Sequence, residues 1–418
     1  MVRLKPGQLR SSATTRRADL PERPAGRRGS DSAAALLRAV LDHGPVARSN
    51  LARLAGLSPA SVSGVTGALI ERGLIREVPE AAGPPGFGRP HVPLDLDPDA
   101  VALVGVHVAV PHATVAVLDL RGRVMAQRRV SYDAPAPAQV VELVAGEVAV
   151  FREEFADRRI LGVGVASGGR VDRASGVVVE HTVLDWRNVP LREQFEARTG
   201  LPTYVESHGR ALLRAEQLFG RHAVRARESI VHVFVGNVVD AAFSIRGRVH
   251  QGSRSASGTV AHLPVDADRI AADSCRCGRV GCLQAAVSER SLLRRAAGLG
   301  IAARHVGDLQ ALAQQGDERL IDLFVERARL LGHAVAYLLD LFDPEVLTVM
   351  ESGFLWLPPA REALLAEVAA RSEIVDDPGR VVVPSSFAES PLAVAGGSVV
   401  LERVYAAPLA WPGLPTAS

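Results

Sequence analysis

The chain has 418 residues with 48 basic and 46 acidic side chains, a formal charge of +2, which excludes a uniformly charged, tail-like polypeptide. A hydrophobic fraction of 47% supports sizeable cores and excludes disorder throughout, and at about 150 residues per domain the length points to two or three domains. Three cysteines exclude a disulfide-built secreted fold. No run of about 18 uninterrupted apolar residues occurs, since Val101 to Leu118 is broken by His107, Pro111 and His112. The basic N-terminus also lacks the apolar stretch of a secretory signal, so a cytoplasmic protein with no membrane partner is expected.

Residues 1–29 carry eight basic and two acidic side chains among Pro, Ser and Gly, with no apolar periodicity. They read as a disordered basic arm, either a solvated tail or an electrostatic tether for nucleic acid. Lys5 is the only lysine and asparagine occurs only at 50, 188 and 237. GC-rich codon usage accounts for both, so the abundance of arginine is not by itself functional.

From Ser30 the pattern changes. Leu36, Leu37, Val40 and Leu41 recur at helical spacing and stop at Gly44-Pro45. A second helix is predicted from Arg48 to Ala55, with Leu51 and Leu54 inward. Gly56 supplies the turn, Ser58 the N-cap and Pro59 the first position of a third helix running to about Arg72, with Val62, Val65, Leu69 and Ile70 as its stripe. Residues 74–78 and 92–96 then form a hairpin around a Gly/Pro-rich tip. Three helices and a hairpin over residues 30–97 predict a winged helix-turn-helix.

In that layout Ser61, Ser63 and Thr66 face a major groove with Gly64 beside them, and Arg89 in the wing tip reaches a minor groove. Short hydroxyls dock on phosphates or bases but encode little sequence. Gly64 and Gly67 each cost about 1 kcal/mol of helix propensity against alanine, which counts against the assignment unless the backbone must approach DNA closely. A protein–protein module is the alternative, because residues 30–97 carry six arginines against seven acids.

Residues 98–418 alternate strands and helices, an α/β pattern. Leu120-Arg-Gly-Arg-Val124 and Ile245-Arg-Gly-Arg-Val249 each follow a long apolar segment, and this echo predicts two similar lobes with a ligand cleft between them. All three cysteines fall within Cys275-Arg-Cys-Gly-Arg-Val-Gly-Cys282, with His262 thirteen residues upstream. Three thiolates and one imidazole suit a tetrahedral zinc ion in a closed, structural site. Arg276 and Arg279 offset its charge, and the competing reading is a redox pair of Cys275 and Cys277.

These residues resemble the ROK family (repressors, open reading frames, kinases), in its transcriptional-regulator branch. The resemblance rests on Gly258-Thr-Val-Ala-His262 with the cysteine segment (a zinc loop over residues 258–284), and on Gly162-Val-Gly-Val-Ala, Asp185-Trp-Arg-Asn-Val-Pro-Leu191 and Phe342-Asp-Pro-Glu345. In the N-terminal module it rests on Arg48-Ser-Asn-Leu-Ala and Gly88-Arg-Pro90. It implies a multidomain chain: a winged helix-turn-helix ahead of a two-lobed α/β, actin/hexokinase-like domain. Arg48, Ser58, Ser61, Ser63, Thr66 and Arg89 become the expected DNA contacts.

The departures from the family pattern carry the functional expectation. Where family kinases place an Asn-Asp pair with the catalytic base, Ser207-His208 follows Val205-Glu206. Where they carry the phosphate loop D-x-G-G-T, this chain has Gly105-Val-His-Val-Ala109, and the second loop is Gly236-Asn-Val-Val-Asp-Ala-Ala242. Valines add bulk there and Asp240 adds negative charge, so neither ATP binding nor catalysis is expected. At the sugar-contacting positions stand Ser207, His208, Thr259, His262 and Gln284. With most carboxylates gone, the cleft holds a modified sugar, another metabolite or nothing. The expectation is a regulator binding a duplex operator as a homodimer or dimer of dimers, with a small-molecule effector and structural zinc. The alternatives are a carbohydrate kinase with a fused regulatory module and a ligand-independent regulator.

Overall fold

The computed structural model describes residues 25–81, 92–132, 136–265 and 275–411. The greater part of the predicted arm and the wing tip with Arg89 lie outside them.

The N-terminal module comprises α1 (Ala25–His43), α2 (Arg48–Ala55), α3 (Pro59–Glu71), β1 (Ile75–Glu77) and β2 (Leu94–Leu96). α1 begins five residues ahead of the Ser30 boundary read from the sequence. Gly56 closes α2 in the left-handed conformation at φ 63°, and the Ser58 side chain accepts the Ser61 amide at the start of α3. β1 and β2 pair antiparallel with Ile75 opposite Leu96. Leu51, Val62 and Leu69 are buried as expected, but Leu54 is 42% exposed, because the short α2 turns only one face to its neighbours.

Beyond a turn in which the Asp97 carboxylate accepts the amides of Asp99 and Ala100, the chain builds two lobes of one topology. In the first, β3 (Val101–Val108), β4 (His112–Leu118) and β5 (Val124–Ser131) form an antiparallel meander. β6 (Arg159–Ser167) and β10 (Thr203–Ser207) then add in parallel, giving the order β10-β6-β3-β4-β5. α4 (Pro137–Glu154) and α5 (Leu191–Thr199) lie in the crossovers, with a small sheet of β7 (Arg170–Asp172), β8 (Val177–His181) and β9 (Trp186–Val189).

After α6 (His208–Phe219) and α7 (Ala223–Glu228), the second lobe repeats the plan. The meander β11 (Ser229–Val235), β12 (Val239–Ile245) and β13 (Arg248–Val249) is joined in parallel by β14 (Val346–Met350) and β15 (Val382–Pro384). Its order, β13-β12-β11-β14-β15, is the first sheet's order read from the other side. The two Arg-Gly-Arg echoes occupy the same turn in each sheet, between second and third strands, with Gly122 at φ 73° and Gly247 at φ 71°. The helices of this lobe are α8 (Leu283–Val287), α9 (Glu289–Gly298), α10 (Val306–Gln314), α11 (Glu318–Phe342), α12 (Ser352–Trp356), α13 (Pro358–Arg371) and α14 (Pro378–Val381) among the described residues, and the apolar stripe of the long α11 enters the largest core cluster.

The last helix, α15 (Pro391–Ala406), returns to the first lobe and lies across β3 and β6. Glycines allow this contact. A side chain at Gly105 or Gly164 would meet the backbone of Gly396, and one at Gly396 would meet the backbone of Val106. α15 also carries Val400, Val404 and Tyr405 into the cluster that contains Leu36, Leu37 and Leu69, so the N-terminal module and the first lobe share one core. Gly164→Ala should therefore destabilise the protein by about 1–3 kcal/mol, since backbone and not a yielding side chain blocks the added carbon. Urea denaturation measures this, and an unchanged midpoint would show that α15 stands off the sheet.

Candidate functional site

α3 presents a small-residue face. Ser58, Ala60, Ser61, Ser63 and Gly64 are exposed, and the added carbon of an alanine at Gly64 or Gly67 would meet no protein atom within 4 Å. Among the described residues, nothing therefore demands glycine at either position. Ser58 Oγ lies 2.9 Å from Ser61 Oγ, so both hydroxyls sit at the N-terminus of α3. Thr66 points the other way: it is fully buried and its hydroxyl donates to the Val62 carbonyl at 2.8 Å. Its place one helical turn after Val62 assigns it to the core stripe and removes it from the groove-facing set. Arg48 reaches across to Glu77 on β1 at 2.8 Å, bracing α2 against the ribbon.

The four predicted metal ligands converge. One ligand atom each from His262, Cys275, Cys277 and Cys282 lies within 4.8 Å of all the others. Cys277 and Cys282 sulfurs are 3.6 Å apart, and the Cys275 sulfur is 3.7 Å from His262 Nδ1. A tetrahedral ion with zinc–sulfur bonds of about 2.3 Å requires ligand separations of roughly 3.8 Å, so the donor set fits zinc. Gly278 at φ 83° and Gly281 at φ 78° make the turns, and Pro264 bridges to Cys282 in antiparallel fashion. Burial first, and then the adjacent Cys277 and Cys275 sulfurs, push the Cys282 thiol up to about 12, a crowding that a bound cation relieves.

The metal loop forms one wall of a cleft of about 850 Å³. His181, Asp185 and Trp186 come from the first lobe, and Asn237, Asp240, Thr259, His262 and Gln284 from the second. Arg276, between two of the cysteines, reaches across to the Thr182 carbonyl. The predicted ligand residues divide. Thr259, His262 and Gln284 line the cleft, whereas Ser207 and His208 are buried away from its lining. Gln284 is engaged by the β11–β12 turn: its Oε1 accepts the Val239 amide at 2.8 Å, and its Nε2 donates to the Asn237 carbonyl at 2.7 Å. Thr259 donates to Ala256 O at 2.8 Å.

Sequence reasoning missed Arg210 and the use made of Glu206. These side chains, 4% and 6% exposed, form an ion pair at 2.7 Å, and Arg210 also donates to the Val171 carbonyl at 3.0 Å. Their four-residue spacing was the available signal. Asp240 lines the cleft near them, and burial pushes its carboxyl up to about 7 despite the opposing pull of Arg210.

The first-lobe turn after β3 and the second-lobe turn after β11 lie against each other. His107 is buried and stacks on His208, ring centroids 5.6 Å apart, with His107 Nε2 3.4 Å from His208 Nδ1. Asn237 in the second-lobe turn donates to the Val110 carbonyl of the first-lobe turn at 3.2 Å, so the two turns are tied to each other. Burial holds His107 and His232 down to about 3 and His181 down to about 4, and drives His208 in the same direction.

A pH dependence follows. The unfolded chain protonates these imidazoles below about 6.5 while the folded protein keeps them neutral. The stability they contribute is complete above that pH and is lost as pH falls towards 3–4. Urea midpoints should drop between pH 7 and pH 5, more shallowly in His208→Leu; identical slopes would refute the assignment.

Comparison with known proteins agrees with this architecture. The ROK family model matches residues 103–359. Transcriptional regulator Mb0495 of Mycobacterium bovis is 34% identical over 394 residues, covering 91% of this chain and 87% of its own length. The DNA-binding transcriptional dual regulator NagC of Escherichia coli is 26% identical, covering 76% and 79%. A crystal structure of a ROK family transcriptional regulator, a homolog of the E. coli MLC protein, superposes with a TM-score of 0.75 at 22% identity, over 91% of this chain and 97% of that one. The chain belongs to the ROK family, in its transcriptional-regulator branch.

Proposed function

We propose that the protein regulates transcription by seating α3 in the major groove of a duplex operator, with the cleft between the lobes serving as the site of a small-molecule effector. The observation that carries the DNA reading is the pair Gly64 and Gly67, which cost helix stability and answer no packing demand within the chain. Ser61 and Ser63 beside them supply hydroxyls for phosphates or base edges. Arg89, in the segment between β1 and β2, is assigned to the minor groove, and the arm of residues 1–29 to a sequence-independent electrostatic term. A homodimer sets two such helices about one helical turn of DNA apart. Residues 30–97 then act as the DNA-binding unit and 98–418 as the sensing unit.

Phosphotransfer is not part of this reading. His107 occupies the first loop position, Asn237 ties the two turns together, and the base position holds a buried imidazole rather than a carboxylate. The effector contacts are assigned to Thr259 and His262 with Arg210 and Asp240 nearby. Ser207 and His208 support the cleft from beneath.

His262, Cys275, Cys277 and Cys282 would hold zinc in a closed four-ligand site, and the ion's contribution would be structural. It fixes the loop that bears Thr259 and Arg276 and performs no reaction.

The DNA reading is tested with Gly64→Ala and Gly67→Ala. Each should raise stability by up to about 1 kcal/mol, because the added carbon meets nothing. Each should also weaken binding to an operator selected from random duplexes, measured by fluorescence anisotropy. Higher stability with undiminished binding would move the DNA surface away from α3. For the metal, elemental analysis should find one zinc per chain, and Cys282→Ser should lose it and melt at a lower temperature. A zinc-free wild-type protein with the same melting temperature would sink the structural role.

A further inference from the structure

The helix-turn-helix module is attached very differently to the two lobes. On the first-lobe side its apolar core continues without a break, since Leu37, Val40 and Leu69 share a cluster with Val101, Leu118, Val404 and Trp411. Arg121 pairs with Asp95 and donates to the Leu41 carbonyl at 3.3 Å, and Arg159 donates to the Arg72 carbonyl at 2.8 Å. Arg38 on α1 lies over the Tyr405 ring of α15, 5.4 Å from its centroid. A close-packed core of this extent makes the module and the first lobe one mechanical body.

The second lobe reaches the module through a different kind of contact. Among the described residues, their polar contact is between Asp42, near the end of α1, and Arg227 on α7. It is bidentate, with Arg227 Nη1 2.7 Å from Asp42 Oδ2 and Nη2 2.8 Å from Oδ1. The remaining guanidinium nitrogen, Nε, donates to the Gln217 carbonyl of α6 at 2.9 Å. Every nitrogen of the planar fork is thus committed, which fixes its direction as a lysine could not. α7 leads directly into β11, the central strand of the second-lobe sheet, so Arg227 moves with that sheet.

We infer that the Asp42–Arg227 pair is the latch that couples the position of the second lobe to the body carrying α3. The pair's two parallel hydrogen bonds need both distance and angle and are lost together when the groups turn or separate, so the hydrogen-bonded contact is either made or broken. The cleft takes walls from both lobes, and any ligand that changes their separation displaces Arg227 relative to a module anchored to the first lobe. Made or broken, the pair then selects between two placements of that body, with α1 and α3, relative to the second lobe. The inference rests on the reading of α3 as the DNA-contacting helix only for its effect on operator binding; the mechanical link itself does not depend on it.

The test uses the full-length chain as wild type, Asp42→Asn, Arg227→Gln and the exchanged pair Asp42→Arg/Arg227→Asp. Spin labels on keto amino acids introduced at the exposed positions Arg53 and Leu299 report the distance from α2 to the second lobe by pulsed electron resonance. The wild type should give one narrow distribution, both single variants a broader one, and the exchanged pair a return towards the narrow one. On an operator selected from random duplexes with the wild-type chain, both single variants should shift affinity in the same direction by a similar factor, about fivefold or more, with the exchange restoring it. Unchanged distances in the single variants would overturn the link, even with a lowered melting temperature, because that pattern describes a merely structural contact. If selection recovers no operator, the DNA reading fails, and the distance distributions alone decide the link.

Discussion

The architecture depends on one close approach, the seating of α15 directly on β3 and β6 through Gly105, Gly164 and Gly396. Side chains at these positions would lift the helix off the sheet and open a gap in a core packed at crystalline density. Because α15 lies flat, Val404 and Tyr405 reach the module's core, and the segment after it places Trp411 there, with its indole N–H on the Leu161 carbonyl. The C-terminal end of the described chain thereby fastens its N-terminal end. Residues far apart in sequence form one body, and the helix-turn-helix is carried on it rather than tethered by a linker.

Against that body stands the second lobe, joined through α6 and α15 and through polar contacts of limited extent. Asn237 to Val110, Arg276 to Thr182 and Arg227 to Asp42 each cross from the second lobe to the rest of the chain. Apolar packing crosses as well, since Phe234 and Met350 of the second lobe share a cluster with Ala166, Leu212, Ala395 and Val399, but the glycine seam admits no added side chain. The two halves are held differently: one carries α3 rigidly, and the other shares a cleft with it. The cleft itself combines an engaged Gln284, a buried Arg210–Glu206 pair and an Asp240 whose carboxyl burial pushes up to about 7. This composition sets hydrogen-bond donors and acceptors along the cleft wall.

Much of this was legible from local signals. The cap at Ser58, the turn at Gly56 and the ribbon after Gly73 are written in neighbouring residues, because caps and turns are decided within a few positions. The metal cluster was equally readable, since His262 and the cysteines Cys275, Cys277 and Cys282 have few alternative reasons to be grouped. The Arg-Gly-Arg echo predicted a duplicated lobe, and the two sheets bear it out because the same left-handed turn serves the same strand connection. Thr66 was misread as groove-facing, because a hydroxyl that bonds its own helix is compatible with burial and polarity alone does not set a helix face. Leu54 was misread as inward because no partner element covers that side of α2.

The sequence by itself determined most of the elements, the grouping of His262 with the three cysteines and the family, because each depends on residues close in the chain or on a motif of fixed spacing. Only the tertiary structure decided which side chains share a space. It moved Ser207 and His208 out of the cleft lining, bound Gln284 to a turn, paired Arg210 with Glu206, and brought Arg227 to Asp42 across 185 residues. Such contacts arise from the packing of sheets and helices against one another, and that packing is set by the whole core rather than by any local pattern.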